Sequence, residues 1–247
     1  MPSPHDADQE TTPLIRTDSA GSTPQERPSY LSYLHDNSFL GFGAVFAQVG
    51  LLLSHVVLWK VIKENPSGLF TYHPVFQSVA VLLFIEGIIL LQPPPSNATV
   101  KRTGRQLHQT FQGIATLLII TGAIFIIYNK ASHGAPHFTT WHAKIGLITL
   151  SFIILQATFG AVAVFAPSLL GGEGRAKSLY KYHRLSGYFA LALLVATPIL
   201  ALWSDWFVGH SSQHERNLVA VGYAMAAIGA ITRIETSKLG FQRRRSS

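Results

Sequence analysis

The chain of 247 residues is 48% hydrophobic and only 13% charged, with a mean hydropathy of +0.27, a composition typical of an integral membrane protein. It contains no cysteine, which excludes disulfides, iron–sulfur clusters and thiolate metal sites and leaves histidine as the strong ligand for a transition metal. The formal net charge of +7 requires no nucleic acid to explain it, because cationic residues beside membrane-spanning segments favour the anionic cytosolic leaflet. We therefore expect a membrane protein that contacts lipid and binds no nucleic acid.

Residues 1–38 are rich in Ser, Thr, Pro and charged side chains and contain no apolar run that could bury a core. We therefore expect a disordered cytosolic tail. No apolar segment of a signal peptide precedes residue 39, so the first helix should itself direct membrane insertion. Within the tail, residues 10–15 resemble an acidic dileucine sorting signal, which favours an endosomal, lysosomal or vacuolar membrane, with the plasma membrane as the alternative.

Six apolar stretches follow, each close to the roughly 20 residues that a helix needs to cross a hydrocarbon core about 30 Å thick. They span residues 41–62, 72–91, 107–128, 141–165, 182–203 and 218–234. The sequence therefore predicts an all-α membrane domain of six transmembrane helices within residues 39–236, followed by a basic cytosolic tail at residues 237–247.

The basic residues predict the orientation of these helices. Of the 19 Lys and Arg residues, fourteen fall on the side that carries both termini and five on the opposite side. Because basic residues are enriched in cytosolic loops, both termini should lie in the cytosol. The glycosylation sequon at Asn97 would then face the cytosol and should remain unmodified.

Four histidines lie just inside the start of the four middle stretches: His73, His108, His142 and His183. An ionisable side chain in hydrocarbon is costly and is functional by default. Since consecutive helices run in opposite directions, His73 and His142 should lie near the lumenal or extracellular face, and the other two histidines near the cytosolic face. Two imidazoles that face each other across a helical bundle can hold both axial positions of a b-type haem. The pattern predicts a four-helix dihaem core in helices 2 to 5.

A second regularity lies fourteen residues after each histidine, at Gly87, Gly122, Gln156 and Thr197. Fourteen residues are close to four helical turns, so each position points nearly the same way as its histidine about 21 Å further along the axis. All four residues are small or polar. They could make room for the haem at the other level, or they could reflect ordinary helix packing, which also favours such residues in membranes.

The sequence around each histidine carries a family resemblance. The matching segments are Tyr72-His73-Pro74, Lys101-Arg102-x-x-Arg105-x-x-His108, Thr139-Thr140-Trp141-His142 and Leu179-Tyr180-Lys181-Tyr182-His183, with histidine spacings of 35, 34 and 41. They resemble the cytochrome b561 family in its stand-alone membrane form, over residues 39–236. The resemblance implies six helices, two b-type haems in the middle four, cytosolic ascorbate as electron donor, and monodehydroascorbate or ferric iron as acceptor on the other side. Related proteins also suggest a homodimer.

Basic residues surround the predicted cytosolic ends of the helices that carry His108 and His183. Four of them are candidate ascorbate contacts: Lys101, Arg105, Lys181 and Arg184. Ascorbate is an anion at neutral pH, so a cationic rim would concentrate and orient it. The resemblance points especially to Lys101 and Arg105. The alternative is that these residues only set topology and touch lipid headgroups.

Two further residues have open roles. His137, in the loop before His142, is a candidate contact for a metal-ion acceptor on the lumenal side, or is simply solvated. Glu86 lies deep in the second stretch, where a carboxylate is costly. It could bond a neighbouring helix in its protonated form, or take part in coupled proton movement.

These observations favour a transmembrane oxidoreductase that passes electrons from ascorbate through two haems to ferric iron or monodehydroascorbate. A haem-anchoring membrane subunit that relays electrons for a partner enzyme is the alternative. A haem-free metal transporter is a third hypothesis, but it does not explain why the four histidines form two level pairs.

Overall fold

The computed structural model describes residues 39–92, 95 and 97–234. Regular secondary structure in these residues is entirely helical. The α-helices are α1 (Phe39–Glu64), α2 (Tyr72–Ile89), α3 (Ala98–Ser132), α4 (Trp141–Phe165), α5 (Glu173–Ala201), α6 (Asp205–His210) and α7 (Gln213–Thr232), with short 3₁₀ helices at Gly68–Thr71 and Pro167–Leu170. The predicted N-terminal tail with its sorting signal, and the basic C-terminal tail at residues 237–247, lie outside the described residues.

Five helices among the described residues are long and apolar enough to cross a membrane. They are Gly41–Glu64, Gly68–Ile89, Ala98–Ser132, Trp141–Phe165 and Glu173–Ala201. They correspond to the first five predicted stretches and make this an integral membrane protein. The sixth stretch is helical, as α7, but is not among these five because α7 begins with a polar turn and is rich in Ala and Gly.

Two of the spanning helices extend beyond their apolar stretches. Helix α3 begins at Ala98 rather than at residue 107, and α5 begins at Glu173 rather than at residue 182. A hydropathy pattern identifies only the apolar part of a helix. The polar, basic first turns of α3 and α5 were therefore predicted to be loops. The Asn97 side chain caps α3 by accepting a hydrogen bond from the Val100 amide at 2.9 Å. The basic residues of both extensions are therefore carried on rigid helices.

The helices associate in three antiparallel pairs: α1 with α7, α2 with α3, and α4 with α5. Contacts between the α2–α3 pair and the α4–α5 pair are much sparser than those within each pair. The four helices that carry the histidines therefore form two tightly packed pairs that face each other across a wider separation.

The α1–α7 pair depends on glycines that let the two backbones touch. A Cβ atom added to Gly222 would lie 2.6 Å from the Gly50 carbonyl oxygen, and one added to Gly229 would lie 2.6 Å from the Ala47 amide nitrogen. Small residues at membrane helix interfaces allow this close approach. Because the obstructing atoms are backbone atoms, no side-chain rearrangement could accommodate a larger residue.

A buried polar contact joins α2 to the α1–α7 pair. Glu86 is only 8% exposed, and the Gln48 side chain of α1 donates to its Oε2 at 3.5 Å. Arg233, at the end of α7, is completely buried and interacts electrostatically with Glu86. The Arg233 side chain packs against Gly43 of α1. Of the two roles left open for Glu86, these contacts favour the bond to neighbouring helices.

We expect Gly222→Leu to lower the free energy of unfolding by about 2 kcal/mol or more, since overpacking a rigid interface costs roughly 1–3 kcal/mol. The measurement is thermal unfolding of the purified protein in detergent. Gly209→Leu on α6 is the control, because a Cβ atom there meets nothing within 4 Å. Equal melting temperatures for the two variants would contradict the backbone contact between α1 and α7.

Candidate haem sites

His73 and His142 lie side by side at one end of the bundle, which we call the His73 end. Their ring centroids are 6.1 Å apart and their planes are inclined at 70°. Metal–imidazole bonds of about 2.0–2.1 Å put a metal roughly 3.2 Å from each ring centroid, so two axial histidines on one metal have centroids about 6.4 Å apart. The observed separation therefore fits one metal ion held between the two rings.

His108 and His183 lie at the opposite end, the His108 end, and are close enough to interact electrostatically. The ring of Phe159 stacks on the His183 imidazole at a centroid distance of 5.6 Å. A Cβ atom on Gly160 would lie 3.3 Å from His183 Cε1, so glycine leaves the space that the imidazole occupies. Each end of the bundle thus holds one histidine from each helix pair.

Three of the four imidazoles bond to a backbone carbonyl on the partner helix of their own pair. The Nδ1 contacts are His73 to Gly122 at 2.9 Å, His108 to Gly87 at 2.8 Å, and His142 to Thr197 at 3.0 Å. A carbonyl oxygen can only accept, so Nδ1 must carry the proton and donate it. This fixes the tautomer in which Nε2 has a free lone pair for a metal, and it orients the ring.

The accepting carbonyls belong to residues fourteen positions after a histidine, which gives the regularity in the sequence a physical meaning. A Cβ atom on Gly87 would lie 2.6 Å from Gln112 Nε2, and one on Gly122 would lie 2.9 Å from Gln77 Nε2. Both glycines therefore face the partner helix, which fits the packing interpretation rather than clearance for a second haem. Nothing in the sequence indicated that these carbonyls accept the imidazole protons, because every residue has a backbone carbonyl.

His183 differs from the other three histidines. Its Nδ1 is buried and has no hydrogen-bond partner among the described residues. The position fourteen residues after His142 is Gln156, whose Nε2 donates to the backbone oxygen of His183 at 3.1 Å. The two helices are thus linked at this level through the backbone of His183 rather than through its ring.

A cavity of about 230 Å³ lies at the His108 end between the starts of α3 and α5 and the end of α4. Its lining comprises Arg105, Ala163, Val164, Pro167, Glu173, Ala176, Lys177 and Tyr180. Arg105 and Tyr180 each precede a histidine by three residues, about one helical turn. Lys177 and Tyr180 were not among the predicted contacts, although Tyr180 lies within a segment that carried the family resemblance.

Only Arg105 of the four predicted rim residues lines this cavity. Lys101 and Lys181 are exposed, and the Lys181 ammonium lies 5.0 Å from the centroid of the Tyr182 ring. Arg184 is partly buried beside His183 and interacts with it electrostatically. These three residues therefore surround the His108 end without lining the cavity.

At the His73 end, His137 is exposed in the connection between α3 and α4, with its ring 5.9 Å from that of Phe138. The Lys144 ammonium lies 5.1 Å from the Trp141 ring. His55 is buried in α1, with Nε2 2.9 Å from the Ser78 carbonyl oxygen. This contact joins α1 to α2, and His55 is not one of the four paired histidines.

No group of three or more His, Cys, Asp or Glu side chains that could hold a metal ion occurs among the described residues. The two pairs of histidines therefore suit a metal whose other ligands come from a cofactor. A haem supplies four equatorial nitrogens and needs two axial ligands, which is the number that each end of the bundle offers. The residues present thus fit two haem groups.

The comparisons with known proteins agree with this site. The family model described as "Eukaryotic cytochrome b561" matches residues 72–208, more than half of the chain. The transmembrane reductase CYB561D2 of Bos taurus is 32% identical over 158 residues, covering 63% of this chain and 70% of the relative, and that of Homo sapiens is 31% identical with the same coverage. The probable transmembrane reductase CYB561D1 of Mus musculus is 29% identical over 160 residues, 64% of this chain and 69% of the relative. The matched region contains all four histidines of the two pairs, and the chain belongs to the eukaryotic cytochrome b561 family.

Proposed function

We propose that the protein is a transmembrane oxidoreductase that carries electrons through two b-type haems, from cytosolic ascorbate to ferric iron or monodehydroascorbate on the lumenal or extracellular side. The observation that carries the proposal is the pairing of histidines from different helix pairs at both ends of the bundle, with 6.1 Å between the rings of His73 and His142. The names of the relatives support the coarser part of this proposal, a transmembrane reductase.

In this proposal His73 and His142 hold one haem and His108 and His183 hold the other. Haem supplies reversible one-electron chemistry when bound. The chain contributes orientation, because the carbonyls of Gly122, Gly87 and Thr197 fix three of the four imidazoles. It would also exclude direct substrate ligation, since two histidines of the chain would hold each haem. Donor and acceptor must therefore be recognised by residues on the two faces of the bundle.

For the donor we propose the cavity at the His108 end. Lys177 lines this cavity and forms an exposed ion pair with Glu173 at 3.2 Å. The Arg105 guanidinium has no ion-pair partner among the described residues and lines the same cavity. Its planar donors suit an oxygen-rich anion such as ascorbate, while Ala163, Val164 and Pro167 form an apolar wall. Lys101, Lys181 and Arg184 would raise the local concentration of the anion without direct contact.

For the acceptor we propose the His73 end, where His137 and Lys144 are exposed and lie within five residues of His142 in the sequence. An imidazole can contact a ferric chelate, and an ammonium group suits the anionic monodehydroascorbate. The surplus of basic residues on the opposite side supports cytosolic termini and hence this assignment of faces. We further propose an endosomal, lysosomal or vacuolar location, on the basis of the sorting motif at residues 10–15.

The test of the proposed function is transfer across a sealed membrane. Vesicles containing the purified protein and loaded with ascorbate should reduce an external ferric chelate, whereas vesicles without protein should not. The variants His142→Ala and His183→Ala should each abolish most of the rate, because either removes one half of the relay. If the wild-type protein takes up electrons but never passes them on without a partner enzyme, it is a haem-anchoring subunit instead.

We expect Arg105→Ala to slow reduction of the protein by ascorbate roughly tenfold, since one charge-assisted contact contributes about 1.5–3 kcal/mol. The matched control is Arg102→Ala, which removes an exposed charge from the same helix one turn away and outside the cavity. Stopped-flow absorbance measures both rates, and a neutral reductant should reduce all three proteins equally. Equal slowing by the two substitutions would indicate a diffuse effect of charge and would count against the cavity.

A further inference from the structure

A short motif occurs twice in the α2–α3 pair. Its glutamines make hydrogen bonds that have no part in the proposed haem ligation or in the proposed function. His73-Pro-Val-Phe76-Gln77 in α2 and His108-Gln-Thr-Phe111-Gln112 in α3 share the pattern His-x-x-Phe-Gln. The glutamine lies four residues after the histidine, about one helical turn, so both side chains project from the same face of the helix.

Both glutamines donate to the partner helix. Gln77 Nε2 donates to the Ile119 carbonyl oxygen of α3 at 3.0 Å, and Gln112 Nε2 donates to the Phe84 carbonyl oxygen of α2 at 3.0 Å. In each case the accepting residue lies three positions before the glycine whose carbonyl accepts the histidine proton of the same helix. A histidine and a glutamine from one helix therefore bind two carbonyls within a single turn of the other, and the arrangement is reciprocal.

The glycines make this arrangement possible. An added Cβ atom would come within 2.9 Å of Gln77 Nε2 at Gly122 and within 2.6 Å of Gln112 Nε2 at Gly87. Each amide is thus packed directly against the glycine whose carbonyl orients an imidazole. The α4–α5 pair has the opposite distribution of sizes, with Gly146 and Gly187 four residues after the histidines, and it lacks this double contact.

We propose that Gln77 and Gln112 are positioning residues, each tuning one haem. Gln77 holds the α3 turn that orients His73, and Gln112 holds the α2 turn that orients His108. A hydrogen bond to the second nitrogen of a metal-bound imidazole raises its basicity, which stabilises the oxidised metal. Loss of the glutamine bond loosens that contact, so the midpoint potential of the haem at the same end rises. This proposal rests on haem ligation by the two histidine pairs.

The test compares Gln77→Met and Gln112→Met in the full-length protein with both haems bound. Methionine keeps the length and approximate volume of glutamine but cannot donate. Redox titration and low-temperature electron paramagnetic resonance of the oxidised protein report each haem, and the loss of one signal in His73→Ala or His108→Ala assigns the signals. Gln106→Met is the control, because Gln106 is an exposed residue of α3.

The expected result is selective. Gln77→Met should raise the midpoint potential and shift the resonance of the haem at the His73 end alone. Gln112→Met should change the potential and resonance of the haem at the His108 end alone. Gln106→Met should change neither haem. Selective loss of the haem at the matching end would carry the same meaning. Equal shifts of both haems, loss of both together, or no shift in either variant would overturn the proposal. A wild-type protein without two haems would instead contradict the proposed function.

Discussion

The hydrogen bond from an imidazole Nδ1 to a backbone carbonyl of the partner helix is the interaction on which the site depends. Helix carbonyls already accept one bond from their own backbone, and their second lone pair is available only to a group that approaches closely. Gly87 and Gly122 permit that approach by having no side chain. The bond fixes the tautomer, aims Nε2 away from the helix pair, and satisfies a polar group that would be costly to bury alone. Tight packing within each pair and the sparser contacts between the pairs place the four histidines at the interface between the two pairs.

The division of the bundle follows from this constraint. The α2–α3 and α4–α5 pairs each supply one histidine at each end, so neither helix pair alone contains a histidine pair. The α1–α7 pair contributes none of these four histidines and packs through backbone contacts at Gly50 and Gly222. Its buried connection to α2 runs through Glu86 and Arg233, which are both buried and interact electrostatically. Forming such a buried pair contributes little net free energy. Removing one partner is strongly destabilising, so the pair favours the helix arrangement that keeps both residues together.

Several features could be predicted from sequence because they follow from rare residue placements. Imidazoles at the start of apolar stretches predicted which four histidines the fold brings together in two pairs, and α4 has the predicted bounds Trp141–Phe165. The early starts of α3 and α5 could not be predicted, since their first turns are polar. The burial of Arg233 was missed because a basic residue at a helix end has the same pattern in a loop and in a packed turn. The repeated His-x-x-Phe-Gln pattern can be seen in the sequence. Its structural role could not be predicted, because it depends on which backbone carbonyl each glutamine amide contacts.

The central claim is that two haems are held between helix pairs by His73 with His142 and by His108 with His183. Its most direct test is the number of haem groups per chain in the purified protein and in four single His→Ala variants. The account predicts about two b-type haems in the wild type, with His73→Ala and His142→Ala losing one haem and sharing one residual spectrum, and the other two variants sharing a different one. A protein without haem, or a loss pattern that couples His73 with His108, would contradict it.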